Sequence, residues 1–89
     1  MKKGKIKALC FTAEWDSNVR DKQDNMCQAA REAGMSFELI EVEDNVPLTI
    51  KYGVRNVPTI VLIKDGKVIG VERGNNGYKH LANYSRKTN

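Results

Sequence analysis

Lys51-Tyr52-Gly53-Val54-Arg55-Asn56-Val57-Pro58-Thr59-Ile60-Val61-Leu62-Ile63-Lys64-Asp65-Gly66-Lys67-Val68-Ile69-Gly70-Val71-Glu72 is the stretch that decides the fold. Thr59 to Ile63 is rich in β-branched residues, and Val68 to Glu72 is a second run suited to a strand. Lys64-Asp65-Gly66-Lys67 separates them, and an Asp-Gly pair between two such runs signals a tight antiparallel hairpin. Gly74 ends the hairpin. Asn75 or Asn76 then caps a final helix, with Tyr78, Leu81, Ala82 and Ser85 expected on its inner side.

Working back toward the N-terminus, the pattern changes. Ile6 to Thr12 alternates as a strand, with Ile6, Ala8, Cys10 and Thr12 on one face and Lys7, Leu9, Phe11 and Ala13 on the other. Ser17 to about Gly34 follows a helical period, with Val19, Gln23, Met26, Ala30 and Ala33 along one stripe and Cys27 at its edge. Asp16 or Ser17 can cap its start, and Gly34 suits its end. Phe37 to Glu43 reads as a second strand, parallel to the first because a helix crosses between them. Pro47 favours the first turn of a short helix from Pro47 to about Tyr52, which Gly53 closes. The order β-α-β-α-β-β-α predicts an α/β domain spanning 1–89, a four-stranded mixed sheet with three helices covering both faces.

Composition sets further bounds. The 89 residues suffice for one compact domain, and the apolar share of 40% suits a folded protein. The longest apolar runs, such as Thr59–Ile63, are far short of the ~20 residues that span a bilayer, so no membrane association is expected. No adequate apolar segment follows the lysine-rich start before Glu14 and Asp16, and the expected location is cytoplasmic. The formal charge is +4, with Lys2, Lys3, Lys5 and Lys7 at one end and Lys79, Arg86 and Lys87 toward the other. A nucleic-acid partner is one reading of that charge, but no RNA-binding aromatic motif accompanies it, and a solubilising surface accounts for it. Cys10, Cys27 and the lone His80 form no metal-ligand pattern, and no cofactor is expected.

Ala8-Leu9-Cys10-Phe11-Thr12-Ala13-Glu14-Trp15 resembles the strand leading into the active-site loop of the thioredoxin family. Lys51 to Thr59 resembles the segment carrying that family's cis-proline, and Lys64–Lys67 and Gly74 match its hairpin turn and the glycine after its last strand. Full-length members begin with an additional strand and helix; the resemblance here covers a compact core. It implies a cis Val57–Pro58 bond, and a groove in which the backbone beside it pairs with an extended peptide.

Where the family carries Trp-Cys-Gly-Pro-Cys-Lys, this chain has Trp15-Asp16-Ser17-Asn18-Val19-Arg20. Asp16 stands for the attacking cysteine and Val19 for the resolving one; Cys10 stands where many members have a buried aspartate, and Leu39 where they have a buried lysine. Exchange through a dithiol needs a thiolate and a second, resolving thiol. A carboxylate at Asp16 can cap the helix but cannot exchange a disulfide. The main expectation is therefore a redox-inactive thioredoxin-like binding or adaptor module. Its vestigial loop is Trp15, Asp16, Ser17, Asn18 and Val19, and its peptide-binding surface Trp15, Asp16, Val57, Pro58 and Thr59. The partner would be a protein or an extended peptide. The alternative is a thioredoxin-related oxidoreductase, connected with cell redox homeostasis, that uses Cys10 or Cys27. Cys10 on a central strand suits a buried, inert thiol, and Cys27 lies more than two helical turns past Val19.

Overall fold

The computed structural model describes residues 5–13, 19–74 and 76–88. Four strands, β1 (Lys7–Thr12), β2 (Ser36–Glu41), β3 (Thr59–Lys64) and β4 (Lys67–Arg73), form one sheet in the order β2-β1-β3-β4. β1 and β2 are parallel, while β1–β3 and β3–β4 are antiparallel. Helices α1 (Val19–Glu32), α2 (Val46–Lys51) and α3 (Leu81–Thr88) alternate with them, and 3₁₀ turns at Val42–Asp44 and Gly77–His80 lead into α2 and α3. This is the mixed α/β architecture expected.

Alternation along the two central strands sorts the core into two layers. Ile6, Ala8, Cys10, Ile60 and Leu62 pack with Met26 and Ala30 of α1, Leu81 of α3 and Met35. Leu9, Phe11, Val61 and Ile40 pack with Leu48, Tyr52 and Val54 on the opposite face. Phe11, Ile60 and Leu62 are fully buried, each contributing about 1.5–3 kcal/mol through burial. The Phe11 and Tyr52 rings meet edge to face with centroids 6.2 Å apart, tying α2 to β1.

The turns follow their chemistry. Asp65 (φ 53°) and Gly66 (φ 78°) both take positive φ, the type I′ geometry whose twist suits a two-residue hairpin. At the end of α1, the Gly34 N–H donates to Arg31 O at 3.0 Å and Met35 N–H to Ala30 O at 2.9 Å, with Gly34 at φ 75°. That is a Schellman cap, with its apolar contact between Met35 and Ala30 in the core.

Four details differ from expectation. β2 stops at Glu41 because Thr12, its last partner on β1, ends there, and Val42 and Glu43 turn into the 3₁₀ segment. The hairpin carries a bulge: Leu62 faces Gly70 and Ile63 faces Val68, so Ile69 is the extra residue. Asn76 precedes the 3₁₀ turn without a side-chain cap. Ala82 is exposed, and Tyr84 takes the inner position, its ring lying against Gly70. The helix position of Val19 is described, while Trp15, Asp16, Ser17 and Asn18 lie outside the described residues, as does Asn75.

Candidate functional site

The Phe11–Thr59 pairing brings the start of β3 beside the C-terminal end of β1, which places Val57 and Pro58 next to Thr12 and Ala13. The Val57–Pro58 peptide is cis. Two hydrogen bonds fix this corner. The Gly74 N–H donates to Pro58 O at 3.0 Å, and Thr59 Oγ1 donates to Asn56 O at 2.7 Å. Pro58 and Thr59 are buried, and Val57 is half-buried. With its hydroxyl turned inward, Thr59 offers little to a partner; the half-buried Val57 is the outward member of the three. The sequence-predicted residues Val57, Pro58 and Thr59 thus sit together at one end of the sheet, and their counterparts Trp15 and Asp16 lie outside the described residues.

Cys10 and Cys27 are both free thiols. Cys10 is fully buried in the centre of β1, its neighbours across the sheet being Leu39 and Ile60. Its thiol donates to Met26 Sδ at 3.0 Å. Burial disfavours the thiolate and pushes the Cys10 pKa from 9.0 up to about 12. Cys10 is thus a packing group at neutral pH. Cys27 follows Met26 on α1 and is part-exposed, eight residues past the helix start, or about 12 Å along the axis. It is the accessible one of the two thiols. Among the described residues, no group of three or more His, Cys, Asp or Glu side chains could hold a metal ion, and no helix is long and apolar enough to cross a membrane.

One polar cluster escaped the sequence reading. Glu72 on β4 accepts hydrogen bonds from Tyr84 Oη at 2.5 Å and, with that nitrogen protonated, His80 Nδ1 at 2.8 Å. Gly77 permits the approach, since a Cβ there would lie 3.0 Å from the Glu72 Cβ. Burial works to raise the Glu72 pKa, but the Tyr84 and His80 hydrogen bonds and the His80 charge outweigh it and hold it below 4.5. The same carboxylate, with some desolvation, lifts Tyr84 from 10.0 to about 12. His80 and Tyr84 stand four residues apart, a helical spacing that would have flagged a shared face.

A groove of about 530 Å³ lies at the other end of the sheet, on the α2 face, floored by Leu9 and Ile40 and rimmed by Lys7, Glu38 and Asp65. It is separate from the Pro58 corner.

A mixed four-stranded sheet with helices on both faces and a proline corner beside the end of its central strand defines a thioredoxin-like α/β protein. Comparison with known proteins agrees. No family model matches the chain. Thioredoxin from Haemophilus influenzae is 38% identical over 78 residues, covering 85% of this chain and 73% of that protein. Thioredoxin from Rhodospirillum rubrum is 32% identical over 66 residues, 72% of this chain but only 64% of that protein, just under two thirds of its length. The crystal structure of Fasciola hepatica thioredoxin superimposes with a TM-score of 0.80 at 30% identity, covering 98% of this chain and 84% of that one. The chain belongs to the thioredoxin-like family.

These relatives overturn the expectation of a redox-inactive adaptor. Both curated relatives are thioredoxins, and the oxidoreductase alternative fits them better. The cysteine pattern itself stands as read: Cys10 and Cys27, and not a Cys-x-x-Cys pair.

Proposed function

We propose that this chain is a thioredoxin-related thiol–disulfide oxidoreductase that works through a non-standard cysteine, Cys27. The observation that carries the reading is its 38% identity to a curated thioredoxin across 73% of that protein. Burial of Cys10 supports assigning the chemistry to Cys27. The Cys27 thiolate attacks one sulfur of a substrate disulfide, forming a mixed disulfide and releasing the other sulfur as a thiolate, which takes up a proton. A second, low-molecular-weight thiol then attacks the mixed disulfide. It regenerates the Cys27 thiolate and leaves with the substrate sulfur, so one external thiol replaces the missing resolving cysteine.

The substrate is a protein or extended peptide carrying a disulfide, with the half-buried Val57 beside Pro58 as the pairing corner. Two free thiols are the supporting observation for a reducing, cytoplasmic compartment. A turnover assay with a disulfide substrate and excess glutathione tests the reading. Unmodified protein and Cys10→Ser should turn over, and Cys27→Ser should not. Turnover that survives loss of Cys27 would dispose of this assignment.

A further inference from the structure

We propose that the outer edge of β2 pairs with the same edge of a second copy, antiparallel, about a two-fold axis at Leu39. The two edges of the sheet are built differently. β4 is interrupted by the Ile69 bulge and carries Lys67 and Arg73, devices that blunt an edge against further pairing. β2 runs Ser36–Glu41 with no proline and no lysine, and its Leu39 is 36% exposed. Among the described residues, no strand covers its outer side.

The direction of the backbone groups follows from one bond. Ser36 N–H donates to Ile6 O at 3.0 Å, so Ser36, Glu38 and Ile40 turn their peptide groups toward β1. Phe37, Leu39 and Glu41 then present theirs on the open edge. The Glu41 carbonyl accepts from Asn45 Nδ2 at 2.9 Å, so the Leu39 pair on the axis carries the pairing.

Charge selects both the occupant and the register. With Leu39 on the axis, each Leu39 exchanges two hydrogen bonds with its counterpart. Phe37 faces Glu41, and Glu38 faces Ile40, so no like charges stand directly opposite one another. Slipping the partner one way sets Glu38 directly against Glu38, which is destabilising. Slipping it the other way sets Glu38 against Val42, which has already left the strand. The strand is thus complementary to itself in one register, the requirement of an isologous interface. The pairing would continue the sheet from four strands to eight across the two copies.

Sedimentation of the full chain from about 1 μM to about 1 mM tests this by mass action. The expected result is a twofold rise in mass with concentration, lost in Leu39→Lys, which sets two cations together on the axis. Far-UV circular dichroism checks that this variant is folded. Hydrogen exchange of the unmodified protein reads the same interface without any substitution: the Phe37 and Leu39 amides should exchange more slowly as concentration rises. A monomeric mass throughout, a dimer that persists in folded Leu39→Lys, or exchange at these amides independent of concentration would each overturn the proposal.

Discussion

Replacing Cys27 with serine leaves Cys10 as the sole thiol, and the burial of Cys10 makes a quantitative prediction about it. Its pKa moves from 9.0 to about 12, because burial among Met26, Ile60 and Ala8 removes the solvation a thiolate needs. Three units correspond to a thiolate population about a thousandfold smaller than that of an ordinary thiol at the same pH. Since the thiolate is the reacting species, native Cys27→Ser should react with an aromatic disulfide reagent about a thousandfold more slowly than the same chain in strong denaturant. Steric exclusion slows it further, as Cys10 has no exposed surface. The assay is a stopped-flow or manual thiol titration at about pH 8, repeated with increasing urea. A rate that climbs with urea identifies reaction through opened molecules. Native reactivity within about tenfold of the unfolded chain would refute the reasoning, since burial would then not be controlling the thiol.

The Gly70–Tyr84 contact predicts a second effect. A Cβ at Gly70 would fall within 2.7 Å of Tyr84 Cζ and Oη, so Gly70→Ala must displace the ring and its bond to Glu72, costing about 1–3 kcal/mol in a urea melt. In a Tyr84→Ala background the same substitution should cost nearly nothing, and an unchanged cost there would reject the clash. The Glu72 bond predicts pH dependence at both extremes. A lowered carboxylate pKa contributes stability that is complete above the unfolded value near 4.5 and is lost as pH falls through the folded value; Glu72→Gln should flatten that acid limb. At the alkaline end the raised phenol contributes below 10.0 and is lost as pH approaches about 12, and ultraviolet titration of Glu72→Gln should show Tyr84 returning toward 10.0.

Local chemistry decided which parts of this fold could be read in advance. Asp65-Gly66 demands positive φ at both positions, and Gly34 and Gly53 terminate helices for the same conformational reason, so these boundaries were legible residue by residue. The two core layers were legible because the period of two along β1 admits little ambiguity. Val42 and Glu43 misled because they suit a strand, yet a strand lasts only as long as its partner, and β1 ends at Thr12. Ala82 is exposed despite its apolar side chain because the 3₁₀ turn at Gly77–His80 rotates α3 and brings Tyr84 inward.

The proline corner was legible as a place in the fold. Family likeness pointed to Val57, Pro58 and Thr59, and their clustering at the end of β1 follows from the strand register. The inward turn of the Thr59 hydroxyl depends on Asn56, three residues away, and could not be read from residue type alone. Its place on a central strand already marked Cys10 as a buried, inert thiol, and the structure seals it beside Met26. The part-exposure of Cys27 needed the packing of α1.

Trapping the covalent intermediate on the unmodified chain tests the central claim most directly. A disulfide-bearing peptide is incubated with the reduced protein, free thiols are blocked, and the mixed disulfide is located by peptide mass spectrometry. The account predicts one adduct, at Cys27, with none at Cys10. An adduct at Cys10 in folded protein, or no adduct at either sulfur, would contradict it.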